Sequence, residues 1–189
     1  MVRIAEVDLH SISPMTQSRH YEVPKEGRES AGDYEKRTWR QRMHFDEKGM
    51  LFIPPMAIKK SLEGAAAFLG QKVPGRGQKQ YAGFFKSTVL VMDNVELGIN
   101  YLDVPGESLF VPSDGKSGGS SRVTKTFGRI NPWKGTAKFY LADETIGKDV
   151  FEEHLKVAGM FVGLGMFRPA TGGFFGRFAH EAIRWTEAA

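Results

Sequence analysis

The stretch from residue 163 to residue 178 reads GLGMFRPATGGFFGRF, with five glycines in its first fourteen residues. Glycine tolerates positive φ and lets the backbone approach another group closely. Backbone N–H groups and the guanidinium groups of Arg168 and Arg177 match phosphate oxygens. We therefore predict that the two arginines contact phosphates, while the loop is shaped by Gly163, Gly165, Gly172 and Gly173. The alternative is a glycine-rich turn that only packs a helix against a strand.

Two common phosphate-binding motifs are excluded for this stretch. No Gly-Lys-Ser or Gly-Lys-Thr follows the glycines, so it is not a Walker loop. The glycines also follow a predicted helix and precede a predicted strand. That order is the reverse of the one in a dinucleotide-binding fingerprint.

Hydrophobic periodicity on both sides of this stretch predicts regular structure. Upstream, apolar residues recur at helical spacing at Phe151, Leu155, Ala158 and Val162. Downstream, residues 174–185 are typical of a strand. Alternation with a period of two predicts further strands at residues 2–12 and 133–141, and an apolar, β-branched composition predicts one at 84–97. Another helix follows Pro54-Pro55 and ends at Gly70, with apolar positions at Ile58, Leu62, Ala65, Ala66 and Leu69.

The predicted order is therefore β-α-β-β-α-β, with a hairpin inserted before the third strand. Helices on one face of an antiparallel sheet make this an α+β, ferredoxin-like or RRM-like arrangement. We predict a single domain over residues 1–189, with insertions at about 15–49 and 104–132. The second insertion has turn signals at Asp114-Gly115 and Gly118-Gly119, so arms at 108–111 and 122–127 predict a protruding β-hairpin.

Composition narrows the class of protein. The net charge is +4 and the isoelectric point is about 9.3, values that are typical of a protein whose partner carries many phosphates. There are no cysteines, so disulfides and cysteine-based zinc sites are excluded and a reducing, cytoplasmic location is expected. No apolar run reaches the roughly 18 residues of a membrane span, and we predict neither a membrane partner nor a signal peptide.

Second-tier candidates for phosphate contact lie nearer the N-terminus. The insertion at 15–49 is arginine-rich and includes Tyr34 and Trp39, a mixture that suits a strand whose bases can stack. We select Arg40 and Arg42 from it, and Lys59 and Lys60 from the polar side of the first helix. The alternatives are a solvated loop with two aromatic side chains on the core and the solvated face of a helix.

The glycine-rich stretch resembles the corresponding loop of the RAMP superfamily of CRISPR proteins, and most of all that of Cas7-type backbone subunits. The resemblance extends to the first strand running into Ser13-Pro14-Met15, to the arginine-rich segment and to the helix after Ile53-Pro54-Pro55. It implies an RRM-like core that assembles head to tail along single-stranded RNA and grips its backbone with a helix, a glycine loop and a protruding hairpin. A phage-encoded relative that coats single-stranded RNA or DNA is equally compatible.

The predicted third strand shows whether the sheet carries the aromatic residues on which RRM domains stack bases. Residues 134–141 read KGTAKFYL, which matches the RRM signature at Lys-Gly and at Ala137. Thr136 and Lys138 replace its two stacking aromatics. We therefore expect binding through charge and backbone, with modest sequence preference, to RNA or DNA.

Catalysis has little support in the residues, and we predict a protein that is not an enzyme and needs no cofactor or metal. The histidines show no metal-ligand spacing: His10, His20, His44, His154 and His180. Asp33 lies where some Cas7-like subunits carry a cleaving aspartate, but it has no identifiable partner. An RNA-processing nuclease on the same fold would need a general base near the glycine-rich loop. A phage assembly or inhibitor protein, acting through the hairpin, is a further alternative.

Overall fold

The computed structural model describes residues 2–113 and 121–188. The strands are β1 (Val2–Ser11), β2 (Met50–Ile53), β3 (Val89–Val91), β4 (Val95–Asn100), β5 (Gly106–Pro112), β6 (Arg122–Gly128), β7 (Lys134–Leu141) and β8 (Phe178–Ala188). The α-helices are α1 (Ala31–Thr38), α2 (Pro55–Leu69), α3 (Tyr81–Thr88) and α4 (Lys148–Val157). The predicted α+β class is confirmed.

The main sheet has four strands in the order β3-β7-β1-β8, and each neighbouring pair is antiparallel. The period-two pattern that predicted β1 has its expected effect, since Ala5, Val7 and Leu9 are all buried on one face. β7 repeats this with Ala137 and Phe139. One face of the sheet therefore carries the core, and the other carries the polar side chains between these positions.

Helices α2 and α4 contribute to that core. Pro55 occupies the first turn of α2, where its missing N–H costs nothing, and Gly70 ends the helix in the left-handed conformation. Phe151 of α4 packs edge-on against Phe139, with ring centroids 5.1 Å apart. The helix then continues as one π-helical turn (Ala158–Val162) that leads directly into the glycine-rich loop. Across the two described ranges, no helix combines the length and the apolar character that crossing a membrane requires.

The single strand predicted at residues 84–97 is wrong. The segment begins inside α3, continues as the short edge strand β3 and ends in β4, which pairs with β2 outside the main sheet. A short apolar run has no period that separates strand from helix. Here Tyr81 and Phe85, four residues apart, are buried on one face, and Phe85 stacks on His154 with centroids 4.4 Å apart. That helical contact decides the conformation.

The insertion at 15–49 contains a helix that we did not predict from the sequence. Ser30 caps α1 by accepting a hydrogen bond from the Asp33 N–H at 3.2 Å. A 3₁₀ turn (Trp39–Arg42) follows and buries Trp39, and Met43 behind it is fully buried. The apolar positions are too few and too far apart to show periodicity, although they anchor the segment on the core.

The predicted hairpin is confirmed in its arms. β5 and β6 pair antiparallel from Gly106–Gly128 to Pro112–Arg122 and form a two-stranded sheet of their own. Its base rests on the insertion, since Gly106 faces Trp39 and Gly128 faces Met43 without room for a Cβ. The turn predicted at Asp114-Gly115 and Gly118-Gly119 lies outside the described residues.

The buried ring of His154 makes stability depend on pH. Its Nδ1 donates to the Val150 carbonyl at 2.7 Å, and burial lowers its pKa below the usual 6.5. Above pH 6.5 the ring is mostly neutral in the folded and in the unfolded chain. Below pH 6.5 the unfolded chain binds a proton, while the folded chain stays neutral until its lower pKa is reached. We expect the free energy of unfolding to fall between pH 7 and pH 5, and to fall less in His154→Gln. Urea titrations at both pH values, with the exposed His20→Gln as control, measure this. If the free energy of unfolding fell equally between pH 7 and pH 5 in the wild type and in His154→Gln, this prediction would be contradicted.

Candidate nucleic-acid interface

The glycine-rich loop is held by backbone hydrogen bonds to the segment that follows the first strand. The Gly176 N–H donates to the Pro14 carbonyl at 2.7 Å, and the Met166 N–H donates to the Thr16 carbonyl at 3.2 Å. Within the loop, the Leu164 N–H donates to the Gly176 carbonyl at 2.9 Å. These bonds fix the loop against a segment that is distant in the sequence, and the loop forms a wall at this position.

The glycines are needed because backbone packs on backbone. Gly163 and Gly165 have φ values of 74° and 71°, which side chains rarely adopt. A Cβ on Gly165 would overlap the Thr16 carbonyl oxygen, and one on Gly173 would overlap that of Phe167. Gly172 also has a positive φ, of 81°, but faces open space. Gly165 and Gly173 therefore pack against backbone and shape the loop, whereas Gly172 has no such neighbour.

A groove runs between this wall and the beginning of α2. It consists of two adjoining cavities of about 260 Å³ and 420 Å³. Both cavities are lined by His44, Pro54, Ala57, Leu164, Gly165 and Arg168. The two ends of the insertion, the start of α2 and the glycine-rich loop therefore meet at one place.

The groove is cationic. Arg168 and Lys60 line it, and among the described residues that line it none is acidic. One Arg168 nitrogen, Nη1, donates to the Gly165 carbonyl at 3.0 Å, which orients the guanidinium group. Lys60 is 61% exposed, and its ammonium group forms an ion pair at 2.6 Å with Glu63, whose side chain is 13% exposed. Two of the predicted cations and two of the predicted glycines, Gly163 and Gly165, thus share one site.

His44 is the residue of the groove that sequence reasoning missed. Its N–H donates to Gln17 Oε1 at 2.9 Å, and its ring lines both cavities. Burial, and then the nearby charge of Arg19, lower the pKa of the ring below 6.5, so it is neutral at pH 7. No local pattern marks this histidine, because it meets the loop only through tertiary packing.

Arg177 lies at the other end of the loop and does not line the groove. Its Nε donates to the Met160 carbonyl at 3.2 Å and its Nη1 to the Phe174 carbonyl at 2.8 Å. The guanidinium group remains partly exposed. Arg168 and Arg177 are therefore two separate cationic positions, where the sequence suggested one clamp.

The remaining predicted cations also have partners within the protein, and unlike Lys60 and Arg168 they do not line the groove. Lys59 is 14% exposed and donates to the carbonyls of Lys86 and Val89 at 2.8 and 2.7 Å. Arg40 donates to three carbonyls between Tyr101 and Val104. Arg42 Nη1 donates to both carboxylate oxygens of Glu35, at 2.8 and 2.9 Å. These contacts link neighbouring elements of the fold. They explain the positions of the three side chains without any role in ligand binding.

The acidic candidates lie away from the groove. Asp33 accepts a hydrogen bond from its own capping residue, Ser30, at 2.7 Å and is exposed. On the open face of the sheet, Arg184 pairs with Asp8 and, with Thr136, lowers the pKa of that carboxyl to about 2. Within residues 2–113 and 121–188, no three carboxylate or imidazole groups lie close enough to hold a metal ion.

Comparisons with known proteins give a likeness of fold. No family model and no curated protein matches the chain. Among solved structures, it is similar to a chain of the "Cryo-EM structure of the Type III-B Cmr-beta bound to cognate target RNA", at a TM-score of 0.62 and 14% sequence identity. The match covers 100% of this chain, which spans 62% of the length of the other. At that identity the similarity shows that the two chains share a fold.

Proposed function

We propose that this protein binds single-stranded nucleic acid through the phosphate backbone, in the groove between the glycine-rich loop and α2. The observation that carries the proposal is that Lys60 and Arg168 line the same groove, and that none of the described lining residues is acidic. Arg168 uses one nitrogen for the Gly165 carbonyl and keeps its other donors for a ligand. α2 also begins at the groove, and the start of a helix favours anions.

The fold supports RNA as the partner. The structure with the similar fold is of an assembly bound to cognate target RNA. The strand order β3-β7-β1-β8, with α2 and α4 between strands, fits a ferredoxin-like core of the Cas7 type. We propose that the chain is a RAMP-like binding subunit, either a CRISPR backbone subunit or a phage-encoded relative. DNA shares the phosphate chemistry and is the comparison ligand.

We also propose that subunits assemble head to tail along the strand and that the hairpin β5–β6 mediates contact between them. The hairpin is a separate sheet, and Phe110 on it is 64% exposed. A contact between two different surfaces generates an open array, which a long strand would favour.

The test is a fluorescence-anisotropy titration of a mixed-sequence single strand at several salt concentrations. We expect log K to fall linearly with log salt, by about 0.7 for each phosphate contact, because bound cations release counterions from the strand. Running RNA and DNA side by side compares the two ligands, and light scattering on a long strand tests assembly. Affinity that is independent of salt would contradict the proposal and favour a protein that acts through protein contacts.

One observation favours a second function, cleavage of the bound strand. His44 lines the groove, and its lowered pKa leaves a neutral imidazole that can accept a proton. End-labelled RNA incubated with the protein decides between the two. If the wild type cleaves the RNA and His44→Ala does not, the protein is a nuclease. If the wild type leaves the RNA intact, the second function is ruled out.

A further inference from the structure

Two phenylalanine side chains are stacked on each other in solvent. Phe68, near the end of α2, is 67% exposed, and Phe161, in the π-helical turn, is 56% exposed. Their ring centroids are 5.7 Å apart and their planes differ by 15°. Met160 beside them is 40% exposed. An exposed cluster of large apolar side chains indicates a contact surface more often than an isolated one does.

This pair lies at the end of a seam that begins in the groove. Ser61 lines the groove and donates to the Ala158 carbonyl at 3.2 Å. One turn further along α2, Gly64 packs on Val162, which also lines the groove. Phe68 follows at the next helical spacing and meets Phe161. From Ser61 to Phe68 the helix rises by roughly 10 Å. Ser61 and Val162 are themselves buried in this contact, so the pair and the groove lie at two ends of one packed seam between α2 and the π-helical turn.

Cations flank the pair on both sides. The groove with Lys60 lies toward the beginning of α2, and Arg177 donates to the carbonyl of Met160, the residue before Phe161. This also gives Arg177 a place on the path of a strand, although it does not line the groove. A single strand offers phosphates to such cations and flat apolar bases between them.

We propose that Phe68 and Phe161 stack an unpaired nucleobase of the bound strand. This inference rests on the proposed function and adds to it a contact with the bases. A phenyl ring stacks on any of the bases, so the contact increases affinity without setting the sequence. The binding mode is then a phosphate path over Lys60, Arg168 and Arg177 with a base platform beside it.

The test compares a normal single strand with an abasic strand of equal length and charge. We expect Phe68→Ala/Phe161→Ala to bind the normal strand about 10-fold more weakly, the loss of one stacked base, and to bind the abasic strand as the wild type does. Leu90→Ala/Met92→Ala is the matched control, since those side chains are 46% and 68% exposed at the edge of the sheet. Phe68→Trp/Phe161→Trp keeps two aromatic rings, so this variant should bind the normal strand more tightly than the abasic strand, as the wild type does.

Three outcomes would overturn the inference. An equal loss on both strands would show that the rings do not contact bases. Unchanged binding to the normal strand would show the same. A change in the sedimentation of the strand-free protein would make the patch a surface between protein copies. Failure of the proposed function is distinct, because the wild type would then bind neither strand in a salt-dependent way. Thermal melting confirms that each variant is folded.

Discussion

Gly165→Ala lowers the free energy of unfolding by roughly 2–5 kcal/mol, of which ~1–2 kcal/mol is left-handed strain and the rest is overpacking. Gly165 has a φ of 71°, and a Cβ there overlaps the carbonyl oxygen of Thr16. That carbonyl also accepts the hydrogen bond from the Met166 N–H, which holds the loop against the segment after the first strand. The loop must therefore move away from that segment, and the groove must widen, before an alanine fits.

Gly172→Ala is the matched control for this change. Its φ is 81°, but an added Cβ has nothing within 4 Å, so only the left-handed strain of about 1–2 kcal/mol applies. Urea denaturation of the three proteins measures the difference. Equal losses in the two variants would show that Gly165 is not packed against Thr16. Gly172→Ala should also retain a closed groove, so its strand binding reports on contact at the loop surface.

Lys60→Ala/Arg168→Ala weakens binding to a single strand by roughly 100-fold or more, since each charged hydrogen bond lost costs about 1.5–3 kcal/mol. Both side chains line the groove, and Arg168 is held by the Gly165 carbonyl. The loss should be similar for all sequences, because phosphates are common to them. The slope of log K against log salt should also fall by about 1.4, or 0.7 for each contact.

The charge-matched control is Lys148→Ala/Lys156→Ala, which removes two exposed lysines from α4. It changes the net charge equally, so it separates a local site from general attraction to polyanions. Arg168→Lys keeps the charge and loses the fork, and it should lie between the wild type and the double variant. If the α4 variant lost as much affinity as the groove variant, the groove would not be the binding site.

How much of this fold the sequence predicts depends on how local each signal is. β1 and β7 alternate strictly because one face of each lies on the core, and α2 carries both a proline at its start and a glycine at its end. Such signals are complete within a dozen residues. The run at 84–97 has no period, and its conformation depends on the packing of Phe85 against His154, 69 positions away by their numbers.

The site is predicted in part for the same reason. Arg168 and the glycines form one sequence motif, so they are found together and do lie together. Lys59 and Lys60 look alike in the sequence, yet one side chain is turned to the α3–β3 junction and the other to the groove. The place of His44 follows from the path of the whole insertion. Its role could not be read from the residues around it.

The pairing of the first strand with the last has a consequence for biosynthesis. Ser13 donates to the Phe174 carbonyl at 2.8 Å across 161 positions, and β1 pairs along its length with β8. Contacts this distant in sequence form late, because the intervening chain must be ordered first. A nascent chain on the ribosome therefore has no closed groove until residue 176 has emerged and folded back. The groove that we propose as the binding site is therefore complete only after residue 176 has been translated, so shorter nascent chains lack it.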